Sequence, residues 1–83
     1  MPVFLLKMNP QLSSALQERF FGFDSYQGFV IRADNEIRAR MVVEAYVRDG
    51  QTGAIWLDSE YTLCEEIQPY GETKIILSDY VQG

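Results

Sequence analysis

Histidine is absent from the chain, and cysteine occurs once, at Cys64. Without histidine the commonest general base and the commonest transition-metal ligand are both missing. Cysteine–histidine and serine–histidine nucleophile pairs are excluded with it. A zinc site would have to be built mostly from carboxylates, which is unusual for that ion. A single cysteine also rules out an intrachain disulfide, so nothing points to a stapled secreted scaffold. Cys64 has apolar neighbours at strand spacing and reads as a small filler rather than a reactive thiol. The six glycines form neither GxGxxG nor GxxxxGK after a strand and read as turn punctuation. The expectation is a chain with no catalytic residues, no cofactor and no metal.

Positive charge is also scarce. Seven Lys and Arg stand against twelve Asp and Glu, giving a formal net charge of −5. Non-specific nucleic-acid binding depends on basic side chains neutralising phosphates, and anionic membrane surfaces attract the same residues. The balance therefore argues against direct DNA or RNA contact and against a membrane surface. No apolar run approaches the roughly 18 residues that suggest a membrane span. The opening Pro2–Met8 stretch lacks the basic flank and length of a secretory leader. A cytoplasmic protein is expected.

What the sequence does hold is apolar and aromatic. Hydrophobic residues make up 47% of 83 positions, with five Phe, five Tyr and one Trp. That suits a single domain over 1–83, enough chain for one core and too short for two.

Val3–Met8 reads as a strand, apolar on both faces as a central strand would be. Asn9-Pro10 ends it and resembles a helix start, with Asn9 as cap; Leu12, Leu16 and Phe20 then fall on one face of a short helix over 10–19. Phe29–Ala33 is a second, β-branched strand. Asp34 stands where a cap belongs, and the segment 35–48 is the clearest helix. Ala39, Val42, Val43 and Tyr46 give it an apolar face; Arg40, Glu44 and Arg48 are expected opposite. Glu36–Arg40 and Glu44–Arg48 are spaced for i,i+4 pairs, and Asp49-Gly50 ends it. Ala54–Leu57 reads as a brief strand. Thr62–Gln68 alternates, with Leu63 and Ile67 on one side and Thr62, Cys64 and Glu66 on the other. Pro69–Glu72 suggests a hairpin loop leading to a last strand, Lys74–Ser78. The fold class is α+β: a small three- to four-stranded mixed or antiparallel sheet, the main helix on one face and the short helix beside it.

Three groups of residues suggest a surface for a partner. Phe20, Phe21, Phe23, Tyr26 and Phe29 crowd into ten positions, more rings than one strand side can bury. Asp58, Glu60, Glu65 and Glu66 form the densest acidic cluster; Glu65 and Glu66 point to opposite faces of a strand, which disfavours joint chelation and leaves contact with a basic partner. Asp24, with Asp79 and Tyr80, adds to an acidic face suited to an Arg/Lys-lined groove. Ile37, Met41 and Val47 extend the apolar stripe of the main helix beyond what one sheet covers, which a homodimer or a larger protein would cover.

The ordered motifs resemble a group of small bacteriophage and bacterial proteins to which no activity attaches. The resemblance rests on the apolar strand Phe4-Leu5-Leu6 and on the loop Phe23-Asp24-Ser25-Tyr26 leading into Phe29–Ala33. It also rests on Glu36 with Ala39-Arg40, on Trp56-Leu57-Asp58, and on a tail matching at Ser78 and Gly83 and in aromatic character at Tyr80. It spans most of the chain through short motifs, with 9–21 as an insertion. It implies a phage-type gene product in the cytoplasm of a bacterial host cell. The functional expectation is a non-enzymatic accessory protein that inhibits or modulates a host protein or defence complex by occupying its surface, a basic nucleic-acid-binding groove included. Its contacts would be Phe20, Phe21, Phe23, Asp24, Tyr26, Asp58, Glu60, Glu65 and Glu66. The alternative is a structural or self-assembling protein, a homodimer or a virion component.

Overall fold

A computed structural model describes residues 1–22, 25–47 and 54–78. Within them the order is strand β1 (Val3–Met8), helix α1 (Ser14–Phe21), strand β2 (Gly28–Arg32), helix α2 (Glu36–Val47), a 3₁₀ turn (Ile55–Leu57) and strand β3 (Thr62–Ile67). The sheet is three-stranded in the order β2-β1-β3, and β1 runs antiparallel to both neighbours. The fold is α+β, as the sequence predicts.

β1 is central because it is apolar on both sides. Phe4 and Leu6 face the helices and join the core with Phe21, Ala33, Ala39, Val43, Ile55 and Trp56. Leu5 points to the other face and is still 1% exposed. The rows across that second face are Arg32–Val3–Ile67, Val30–Leu5–Glu65 and Gly28–Lys7–Leu63.

The short helix begins four residues later than the sequence suggests. Ser13, in extended conformation, accepts a hydrogen bond from the Leu16 amide at 3.3 Å and caps Ser14–Phe21. Asn9, the predicted cap, instead accepts from the Gln11 amide at 2.9 Å and donates through its side-chain amide to the Glu60 carbonyl at 2.9 Å. It thus ties the end of β1 to the turn before β3, a local Asx turn that competes with helix initiation. Beyond Phe21 the chain leaves through Gly22, where a Cβ would stand 2.6 Å from the Glu18 carbonyl oxygen. A side chain there would push the chain off the end of α1.

The main helix is capped by Asn35 rather than Asp34, with the Arg38 amide donating to Asn35 Oδ1 at 2.8 Å. Its predicted last residue, Arg48, the Glu44–Arg48 pair and the Asp49-Gly50 stop lie outside the described residues. Arg40, expected on the solvent side, is buried at 6% exposure. Its Nε donates to Glu36 Oε2 at 2.9 Å, so the expected pair forms, with one partner inside. Nη1 donates to the Trp56 carbonyl (3.1 Å) and the Thr62 hydroxyl (2.8 Å), and Nη2 to the Thr62 carbonyl (2.9 Å). The Thr62 hydroxyl passes its proton toward the Ile55 carbonyl at 3.0 Å. A buried guanidinium is tolerated only with such saturation of its fixed fork of donors.

Two predicted strands are replaced by other structure. Ala54–Leu57 is not extended: Ala54 takes a left-handed conformation and opens the 3₁₀ turn that drives Ile55 and Trp56 into the core. Lys74–Ser78 forms no strand and no hairpin with β3, so among the described residues the sheet stops at three strands and is wholly antiparallel. Ile75, Ile76 and Leu77 are all exposed. Along β3 the alternation is as predicted, and the Thr62/Cys64 side is the one that meets the core.

Candidate partner-binding surface

The two edges of the sheet differ in chemistry. At β3 the free edge is acidic: Glu65 and Glu66 are exposed on opposite faces, and Glu60 stands in the preceding turn. Asp58 Oδ1 accepts from the Glu60 amide at 2.8 Å, and Glu66 accepts from the Gln68 side chain at 3.2 Å. These contacts account for a turn and a solvated strand end. Among the described residues no group of three or more Asp, Glu or Cys is placed to hold a metal ion.

The β2 edge carries no acid. Its side chains are Phe29, Val30, Ile31 and, at the end, Arg32. Between this edge and α2 lies an open groove of about 430 Å³ lined by Tyr26, Phe29, Ile31, Val42, Val43 and Tyr46, with Gly28 and Val30 on its outer side. Val42 and Tyr46, one turn apart, fall on the helix flank beside β2, so the strand period and the helix period converge on one apolar trough. Tyr46 is 67% exposed, Val30 59% and Tyr26 48%.

The rings here form a chain. Trp56 meets Phe29 edge-on at 5.1 Å, Phe29 meets Tyr26 at 5.0 Å and Tyr46 at 5.9 Å, and Tyr26 meets Tyr46 at 5.7 Å. The Tyr26–Phe29 pair is tilted at 36° and the other three contacts are edge-to-face; such ring packing adds to area burial. The Tyr46 phenol beside it raises the pKa of Tyr26. An apolar floor anchored on the core and a polar lip at the surface is the composition favoured at the centre of protein interfaces.

Backbone direction completes the site. The Ala33 amide donates to the Pro2 carbonyl and the Gln27 carbonyl accepts from Met8, both across to β1. Phe29 and Ile31 share that phase, so the N–H and C=O groups of Gly28, Val30 and Arg32 point outward from the sheet. Among the described residues nothing pairs with this edge and no acid lies on it, and such an edge is a template for strand addition.

The residues expected to meet a partner are distributed as follows. Phe21 is buried against Trp56 at 5.8 Å and is core. Phe20 is half-buried, edge-on to Tyr61 at 5.4 Å, with the Arg19 guanidinium 5.2 Å above its ring. Tyr26 stands on the groove lip. Phe23 and Asp24 lie outside the described residues, as do Asp79 and Tyr80. Asp58, Glu60, Glu65 and Glu66 cluster at the far side of the sheet from Tyr26 and do not share a surface with it. Sequence reasoning missed Val30, Val42 and Tyr46 as a surface: it assigned all three to a strand or helix interior, and only the β2-β1-β3 order makes β2 an edge.

No helix among the described residues is long and apolar enough to cross a membrane. Compared with protein-family models, curated proteins and solved structures, the chain matches none.

Proposed function

We propose that this chain is a non-enzymatic binding protein that works by laying its β2–α2 face against another protein. The observation behind this reading is the apolar groove of Tyr26, Phe29, Val42 and Tyr46 beside a strand edge that, among the described residues, has no pairing strand and no guarding acid. Main-chain hydrogen bonds along such an edge supply affinity, and pockets for alternate side chains supply selectivity. The wider reading is a phage-type accessory protein that modulates a host protein by covering its surface. Its support is the motif resemblance and the acidic composition, with Glu60, Glu65 and Glu66 available at the opposite edge for a basic partner.

Photo-crosslinking in cells tests it. A benzophenone amino acid at position 46 is expected to give protein adducts, while the same group at Tyr70, exposed and remote from the groove, gives none. Equal adduct formation at both positions, or none at 46, overturns the reading. Adduct masses separate a foreign protein from a second copy of the chain.

A further inference from the structure

We propose that the occupant of the β2 edge is a second copy of this chain, paired antiparallel about a two-fold axis at Val30, so that two three-stranded sheets join into one. The inference rests on the reading of the β2–α2 face as a protein-binding surface and names the partner.

Strand register selects this pairing. Residues presenting N–H and C=O outward are Gly28, Val30 and Arg32, evenly spaced about Val30. A two-fold axis there sets Val30 against Val30 of the second copy and Gly28 against Arg32, and all three outward residues exchange hydrogen bonds. That makes about six inter-chain bonds, two for each such pair. Sliding the register by two residues leaves one outward pair beyond the end of the partner strand. The centred register alone uses the whole strand.

Side chains agree with it on both faces. Val30 lies on the face away from the helices beside Leu5, and its exposed flank would meet the same flank of its mate. Arg32 is the only charge on the strand, and it would face Gly28, whose missing side chain leaves room for the arginine stem. Its guanidinium would then stand two strand spacings, about 10 Å, from Lys7, near one Debye length in physiological salt. The two Arg32 side chains sit at opposite ends of the joint and do not repel. On the helix face Phe29 would face Ile31 of the mate, extending the groove floor, and Val42 and Tyr46 of each copy would flank the seam. The β3 edge is a poorer joint: its outward residues are Thr62, Cys64 and Glu66, and its exposed acids would draw together in a chain already at −5. A two-fold contact closes on itself, so the product is a dimer and not a fibre.

Val30→Pro is the sharpest probe. The Val30 amide points away from β1, so proline removes a donor that the monomer does not use, and edge strands tolerate it. Val30→Lys keeps the donor and sets two ammonium groups face to face. Sedimentation at tens of micromolar is expected to show a dimer for the wild-type chain and a monomer for both variants, with unchanged far-ultraviolet circular dichroism. Amide exchange read residue by residue should show concentration-dependent protection at Val30 and Arg32, with Phe29 and Ile31 protected at every concentration. A monomeric wild-type chain with unprotected Val30 and Arg32 amides overturns the proposal, as does a dimer that persists in both variants. If the chain is monomeric yet residue 46 crosslinks to a foreign protein, the dimer is wrong and the binding reading stands.

Discussion

Arg40 holds Thr62 at two atoms, its Nη1 on the hydroxyl at 2.8 Å and its Nη2 on the carbonyl at 2.9 Å. One side chain of α2 thereby fixes the first residue of β3 and, through the Trp56 carbonyl, the 3₁₀ turn that seats the only tryptophan. The network sets how the segment after α2 returns to the sheet.

Removing it has a defined cost. Arg40→Ala strands the Thr62 and Trp56 carbonyls without that donor and should destabilise by about 2–4 kcal/mol, and Thr62→Val by about 1–2 kcal/mol. Urea titration followed by Trp56 emission measures both. The double variant should fall short of the sum, because each single change already breaks the shared bonds. Strict additivity would mean that the two side chains act apart.

The caps separate two readings of the first helix. Ser13→Ala should cost about 1 kcal/mol as a lost N-cap. Ser14→Ala, one residue on, should be near neutral. If the second change were the more harmful, the helix would start elsewhere.

The Cys64 thiol is pushed above its ordinary pKa, first by burial, then by the nearby Glu36 carboxylate, with Arg40 opposing. The folded chain therefore favours the neutral thiol. Any stability from this is fully present below the unfolded-state pKa and is lost as pH rises through that value toward the folded one. Alkylation by iodoacetamide should be slow at neutral pH in the folded chain and should reach the ordinary thiol rate in urea. Equal rates in both states would contradict the burial.

Tyr26 titrates high because the Tyr46 phenol lies beside it. Tyr46→Phe should return it toward the ordinary tyrosine value, read from the ring carbon shifts of Tyr26 against pH. An unmoved titration would separate the two rings and remove the ordered lip of the groove.

Ile75 and Leu77 stand exposed outside the sheet. Replacing both with Thr should change unfolding free energy by no more than about 0.5 kcal/mol per site, as for surface positions. A loss of several kcal/mol would show that the segment pairs as a strand.

Part of this architecture follows from sequence because it depends on near neighbours. The apolar run Val-Phe-Leu-Leu before Lys7 makes a central strand in any sheet, and the period-two pattern of β3 fixes its faces. Helix α2 needs only its spacing and a cap. Absent chemistry is equally local, since a chain without histidine has none to bring together. Arg40 shows where local reading ends: it lies with Glu36, Val43 and Val47 on a row of core spacing, yet an i,i+4 pair looks the same whether solvent or Thr62 waits beside it. The Asn9 cap failed for the same reason, because its side chain found a carbonyl fifty-one residues away.

Most of the candidate surface belongs to the second kind; only Tyr26 and Phe29 stand out in the sequence as surplus rings. Val30, Val42 and Tyr46 have the composition of interior positions, and nothing in their order says otherwise. Only the placement of β1 between the other strands leaves β2 at the rim, its outward amides unpaired among the described residues. That placement is decided by which strand can bury both faces. Sequence determined the central strand, the main helix and the two faces of β3; the competition among strands for the centre of the sheet decided which described residues stay open to a partner.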